Sequence, residues 1–197
     1  LLRHVDNIKN KYGITPIVGI NRYKNDSEKE IEFLEKKLNE IGVELSLLDV
    51  WAKGGEGAID LAHKVVEYAK KESTVKFVYD DKDSIKEKIE KVAKQVYGAE
   101  DVEYTDEALA QIDQVEKLGY GKYPVCIAKT QYSFSDNEKN LICNEPYNIH
   151  IREAIVKNGA EFIVIKTGKL FTMPGLPKHP AAENIYFNEN DEVEGIF

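Results

Sequence analysis

Short apolar runs alternate along the chain with longer stretches in which apolar residues recur every three or four positions. Residues 1–12 carry Leu1, Leu2, Val5 and Ile8 at helical spacing, and Gly13 ends the pattern. Ile14, Pro16, Ile17, Val18 and Ile20 predict a buried strand that ends at Asn21-Arg22-Tyr23. Asn25-Asp26-Ser27 is a turn and cap cluster, and Ser27 with Glu30 makes a capping box. The helix behind it shows Ile31, Leu34, Leu38 and Ile41 on one face, and Gly42 stops it. Val43, Leu45, Leu47, Leu48 and Val50 predict a second strand. It runs into Trp51-Ala52-Lys53-Gly54-Gly55-Glu56-Gly57, a turn opening a helix with Ile59, Ala62, Val66 and Ala69 inside and lysines outside. Val75, Phe77, Val78 and Tyr79 predict a third strand. Alternation of this kind is the signature of a parallel sheet with right-handed crossovers.

Past Asp80 the pattern shifts. A helix over 84–97 presents Ile85, Ile89, Val92 and Val96 and is strongly charged outside, and Gly98 follows its end. Glu103-Tyr104-Thr105 reads as a short strand, and Asp106 as the cap of a helix through Leu118. Pro124 to Lys129 is a strand and 130–146 a polar loop. Ile149, Ile151 and then Phe162 to Ile165 are further strands, with a turn at Asn158-Gly159. Thr172 to Lys178 is irregular, because two prolines fix φ and Gly175 permits a left-handed turn. A turn over 188–191 precedes a last strand at 193–196. The expected fold class is α/β, in three layers, with a mostly parallel sheet, flanking helices and a smaller α+β C-terminal portion. The boundary is placed between residues 1–75 and 76–197.

The 197 residues suffice for one compact domain or two small ones. A net charge of −8 speaks against a nucleic-acid surface. No apolar run approaches a membrane span, and no signal peptide is visible. The spacing of Cys126 and Cys143 fits no zinc or redox motif, and the strand around Cys126 makes it a small buried hydrophobe. The chain starts inside a helical pattern without an initiator methionine, so it reads as a fragment or a processed chain.

Little in the sequence supports catalysis by these residues alone. The glycines after Lys53 follow a strand and open a helix, as a phosphate loop does. They lack the Gly-Lys-Ser/Thr ending that supplies the phosphate lysine and the magnesium hydroxyl. Asn21-Arg22 is similar to the guanine-reading Asn-Lys-x-Asp of small GTPases, but Lys24 stands where the carboxylate belongs. His4, His63, His150 and His179 are scattered and read as solvated. Ser133 and Ser135 have no elbow motif around them. No metal ligands and no catalytic residues are assigned. Tyr23 and Trp51 are a stronger signal, since each follows a strand of the same parallel unit. In open α/β sheets ligands bind at the carboxyl ends of strands. The two rings are either a clamp for a planar ligand or, for Trp51, a wall of the local core.

These residues resemble the carboxyl-terminal part of formate–tetrahydrofolate ligase in a series of ordered blocks. The blocks are Ile20 to Tyr23, Val50 to Gly57, Pro124 to Ser135, Met173 to Lys178 and Gly195-Ile196-Phe197. The resemblance implies an ATP-dependent ligase that activates formate as formyl phosphate and passes the formyl group to N10 of tetrahydrofolate. It implies that Tyr23, where relatives usually carry Phe, and Trp51 sandwich the pterin, with Leu47 as an apolar wall. Asn21, Lys53, Gly54, Gly55, Lys129 and Gln131 are candidates for lining the cleft, although Lys129 to Tyr132 equally suits a brace for its loop. ATP with its Mg is expected to bind mainly to an amino-terminal part that these residues do not include, which leaves this chain alone inactive as a ligase. The implied partners are tetrahydrofolate, that amino-terminal part and copies of the chain, as tetramers in the family, in the cytoplasm. Relatives usually carry a glycine-rich turn where this chain has Ile142-Cys143-Asn144-Glu145-Pro146, so its fit near a nucleotide is in doubt. Two other readings stand beside this one. One is a stand-alone module for pterins or another planar ligand. The other is a structural or assembly domain with Trp51 buried.

Overall fold

A computed structural model describes residues 1–72, 74–168 and 177–196. Helix α1 (Leu2–Asp6) continues as a wider, π-type coil (Asn7–Lys11) and leads to strand β1 (Ile17–Asn21). Helix α2 (Glu28–Glu40) and strand β2 (Glu44–Leu48) follow. A short helix α3 (Val50–Lys53), a 3-10 stretch (Gly54–Ala58) and helix α4 (Ile59–Tyr68) complete the first part. The rest comprises α5 (Ile85–Lys91) with a π-type extension (Val92–Tyr97), β3 (Asp101–Tyr104) and α6 (Asp106–Lys117). Next come β4 (Val125–Ala128), β5 (Asn148–Ile151), β6 (Glu153–Lys157) and β7 (Phe162–Lys166). A small hairpin, β8 (Tyr186–Phe187) with β9 (Val193–Glu194), closes the described residues.

The fold is α/β. Strand β1 pairs parallel with β2, β3 with β5 and β4 with β7, while β6 joins β7 antiparallel. Around β1 and β2 the helices lie on both faces. Alternation along β2 turns Val43 and Leu45 toward Leu38 of α2 and Val5 of α1, where these residues form a small core with Val18. Ser46, on the other face, donates to Asp60 of α4 at 2.7 Å, and the Lys64 ammonium reaches the Leu45 carbonyl at 2.7 Å. The capping box of α2 forms as the spacing predicts: the Glu30 amide donates to Ser27 Oγ, and Ser27 N–H donates to the Glu30 carboxylate at 2.9 Å. A larger core gathers Ile85, Ile89, Ile112, Ile149, Ile151, Ile163 and Ile165 from α5, α6, β5 and β7. Coil 7–11 joins the two parts, with Asn7 Nδ2 donating to the Val96 carbonyl at 2.9 Å.

Several expectations are corrected. Residues 75–79 form no strand. Lys76 N–H bonds the Tyr12 carbonyl, and Phe77 stands 86% exposed, so among the described residues no neighbouring strand takes up this run. Helix α4 buries none of its residues fully, and Ile59 and Val66 of the expected inner stripe face outward. The face toward the sheet is instead Leu61 and Lys64, because the lysine stem covers apolar surface while its ammonium finds a carbonyl. Thr105, not Asp106, caps α6, its hydroxyl accepting from the Ala108 amide at 3.2 Å. Cys126 is exposed, since β4 lies at the edge of its sheet and alternation turns this side chain out. Lys88 lies inside rather than outside α5. Strand β6 was not anticipated. Arg152 interrupts the apolar run there, and only the pairing with β7 makes Glu153–Lys157 a separate strand. Residues 173–176 of the Met173-to-Lys178 block, and Phe197, lie outside the described residues.

Burial also sets an alkaline limit. Tyr97, at the end of the π-type extension of α5, has its hydroxyl pushed up to about 12 by burial. A folded-state value above the unfolded one gives stability that is present below about pH 10 and lost as pH rises through 12. The linked free energy is about 2–3 kcal/mol. Tyr97→Phe is therefore expected to flatten the fall in urea midpoint between pH 9.5 and 12; equal slopes for the two chains would refute the assignment.

Candidate functional site

The parallel pairing of β1 with β2 sets Asn21 opposite Leu48, and the Arg22 amide donates to the Leu48 carbonyl at 3.0 Å. Both strands therefore end at one edge, and the residues after each emerge there together. Tyr23 follows β1 and Trp51 follows β2. Neither ring is taken up by the core: Tyr23 is 67% exposed and Trp51 94%. Among the described residues, then, Trp51 is no wall of the local core. Leu47, opposite Ile20 in the register, is half-buried just behind this edge.

The backbone beneath each ring is held locally. The Tyr23 amide donates to Asp26 Oδ2 at 2.8 Å, and the Asp26 amide returns a bond to the Tyr23 carbonyl at 3.1 Å. These bonds close a β-turn over residues 23–26, with the Asp26 side chain reaching back to its first amide. Asn21 Nδ2 donates to the Tyr23 hydroxyl at 3.2 Å. The Arg22 guanidinium pairs with Glu28 at the start of α2. On the neighbouring segment the Lys53 amide donates to the Asp49 carbonyl, which makes α3 a single turn that projects Trp51. The Asp49 amide in turn donates to the Gly57 carbonyl at 3.1 Å, so the 3-10 stretch folds back on the start of α3. Lys53 Nζ lies 2.9 Å from Asp49 Oδ2, an exposed pair worth little by itself. Gly54 and Gly55 have open space where a Cβ would stand, so a ligand can approach their backbone closely.

Two candidates lie elsewhere. Lys129 and Gln131 follow β4, in a different sheet from Tyr23 and Trp51. Gln131 is exposed. Lys129 donates to the Thr130 carbonyl at 2.8 Å and to the Ser133 carbonyl, with its ammonium 5.0 Å from the Tyr97 ring centre. Burial holds its pKa below the ordinary lysine value. These are the bonds of a brace. Ser133 and Ser135, both buried, bond each other at 2.9 Å, and Ser133 also bonds Cys143 Sγ at 3.2 Å, which ties residues 133–143 into one knot.

Sequence reasoning missed the residues that back the rings, namely Asp26, Asp49 and Gly57. Asp26 was visible only as a turn former, and Gly57 only as one glycine of a run. It also missed the partners of His150, which is exposed as expected but lies 2.8 Å from Asp136 through Nδ1 and 3.5 Å from Glu103 through Nε2. A cleft of about 930 Å³ lies between Tyr12, Phe77, Tyr79, Tyr97 and Cys126, where the sequence pattern predicts a paired strand over 75–79 and hence no opening. None of Tyr23, Leu47 or Trp51 lines it. Among the described residues, no group of three or more His, Cys, Asp or Glu is arranged to hold a metal ion. No helix among them is long and apolar enough to cross a membrane. Compared with known families, residues 1–197 match the family model described as formate–tetrahydrofolate ligase.

Proposed function

Since the chain belongs to the formate–tetrahydrofolate ligase family, we propose that Tyr23 and Trp51 hold the pterin of tetrahydrofolate between them, with Leu47 as the apolar wall. The observation that carries this reading is the pair of uncovered aromatic faces at one carboxyl edge of a parallel strand pair. Stacking contributes about 0.5–1.5 kcal/mol per aromatic pair beyond burial, and two faces already held by their own turns lose little freedom on binding. Residues 1–75 carry this platform and 76–197 form the second domain. Asn21, Lys53, Gly54 and Gly55 border it, and the exposed backbone at the two glycines leaves room for the rest of the folate. Gln131, which is exposed, remains open to a ligand, while Lys129 serves its own loop.

Formate activation requires groups that neutralise and align phosphates. The sequence holds no Gly-Lys-Ser/Thr phosphate loop, and the described residues offer no metal cluster. ATP with its Mg is therefore assigned mainly to the remainder of the ligase, and no step of phosphoryl transfer is assigned to these residues. Their part in the family reaction is to bind and orient the acceptor so that its N10 meets the formyl donor, in the cytoplasm. The apolar stripe of Ile59 and Val66 that α4 leaves uncovered is a surface on which the remainder of the ligase or another copy can pack.

The test uses the single tryptophan. Titrating tetrahydrofolate into the purified chain is expected to quench Trp51 emission saturably, with matching heat in calorimetry. Tyr23→Ala is expected to weaken binding about tenfold, the loss of roughly one stacked face. Absence of both quenching and heat would overturn the platform. Formate-dependent ATP hydrolysis by the chain alone would overturn the assignment of activation to other residues.

A further inference from the structure

We infer that Asn21 is a positioning residue, which presets the Tyr23 ring for its ligand through the phenol hydroxyl. This rests on the pterin reading of Tyr23 and Trp51 and goes beyond it. An exposed tyrosine ordinarily moves among rotamers, and fixing it on binding costs affinity. Here the ring is two-thirds exposed and yet held at both ends. Its backbone is closed in the turn with Asp26, through bonds of 2.8 and 3.1 Å. Its hydroxyl accepts from Asn21 Nδ2 at 3.2 Å.

The contact is local: β1 ends at Asn21, and the turn closed by Asp26 brings the Tyr23 hydroxyl back to the Asn21 side chain two residues earlier. The Asn21 backbone is fixed as the last residue of β1, opposite Leu48 in the parallel ladder, so the sheet edge anchors the root of this exposed side chain. A phenylalanine at position 23 has no atom for this tether. The hydroxyl thus contributes preorganisation, separate from the stacking face that either ring supplies.

Four chains decide the point: the parent, Asn21→Ala, Tyr23→Phe and the double variant, each titrated with tetrahydrofolate by Trp51 quenching. Asn21→Ala is expected to weaken binding about two- to fivefold in the parent background and to change nothing in the Tyr23→Phe background. Asn21→Asp, whose carboxylate can accept the phenol proton, is expected to restore affinity. Urea midpoints check that the folds are equal. An equal loss in both backgrounds overturns the inference, because Asn21 would then act on the ligand directly. No loss in either background overturns it as well. A parent chain that shows no saturable quenching rejects the folate platform itself, and this inference with it. Binding by the parent without coupling between the two positions rejects only the tether.

Discussion

Replacing Lys88 by alanine is expected to destabilise the chain by about 2–5 kcal/mol, the range for truncating a long buried side chain to alanine. Lys88 is 0% exposed on helix α5, between Ile85 and Ile89, which are buried as completely. Its ammonium donates to the Gly121 carbonyl at 2.9 Å and to the Tyr123 carbonyl at 3.1 Å. The lysine thereby ties the loop before β4 to the large core. Truncation removes the stem from the core, opens a cavity and leaves two carbonyls without their donor. Lys88→Met keeps most of the stem and loses only the hydrogen bonds, so it is expected to cost clearly less. Urea denaturation followed by far-UV circular dichroism separates the two, and a cost below 1 kcal/mol for the alanine variant would sink the assignment.

The pH dependence of this lysine has a definite sign. Burial lowers the Lys88 pKa, while Asp81, Asp83, Asp80 and Glu116 partly oppose the shift. A folded-state value below the unfolded one means that the unfolded chain binds more protons in that window. Stability from this group therefore increases as pH rises toward the ordinary lysine value. That is opposite in sign to the Tyr97 contribution, which falls between pH 10 and 12. In a Tyr97→Phe chain the lysine trend is the easier of the two to observe.

Lys88 also shows what the sequence could have revealed and did not. Positions 85, 88, 89 and 92 follow the i, i+3, i+4, i+7 rule of a helix face, so periodicity alone puts this lysine on the inner stripe. Charge made it look solvated. Lys64 on α4 is a second case, for its stem faces the sheet and the apolar Ile59 and Val66 face outward. Elements with strong local signals were legible: the capping box at Ser27, the strand ending at Asn21, and the glycine stops after α2 and α5. The second strand instead stops at Leu48, and Val50, expected to end it, opens α3. What failed depends on partners distant in sequence. Val75 to Tyr79 has a strand's composition, but a strand exists only where a neighbour takes its hydrogen bonds, and none does so among the described residues. The site was legible in the same uneven way. Residue type and position at strand ends singled out Tyr23 and Trp51, whereas the bonds from Asp26 and Gly57 that aim them are set by backbone geometry.

Gly57→Ala is expected to have the largest effect on the site of any substitution that leaves both rings in place. A Cβ at Gly57 would lie 2.3 Å from the Asp49 carbonyl oxygen, 2.4 Å from the Asp49 carbonyl carbon and 2.8 Å from the Val50 nitrogen. All three are backbone atoms at the root of α3, so no side-chain rotation can relieve the overlap. The bond from the Asp49 amide to the Gly57 carbonyl must open, and the turn carrying Trp51 must move with it. Overpacking of this kind costs about 1–3 kcal/mol. A displacement of about 1 Å at the tryptophan is enough to spoil a two-faced stack, so tetrahydrofolate binding is expected to fall at least tenfold. Gly55→Ala is the matched control. A Cβ there meets open space, and its φ is not in the left-handed region, so stability is expected to stay within about 0.5 kcal/mol. Urea midpoints of the two variants test the close approach without any ligand, and Trp51 quenching tests its consequence for the site. Equal midpoints would show that the turn yields without cost. A clear loss of stability with unchanged quenching would instead show that the pterin does not depend on where α3 holds Trp51, and the platform would have to be sought elsewhere along this edge.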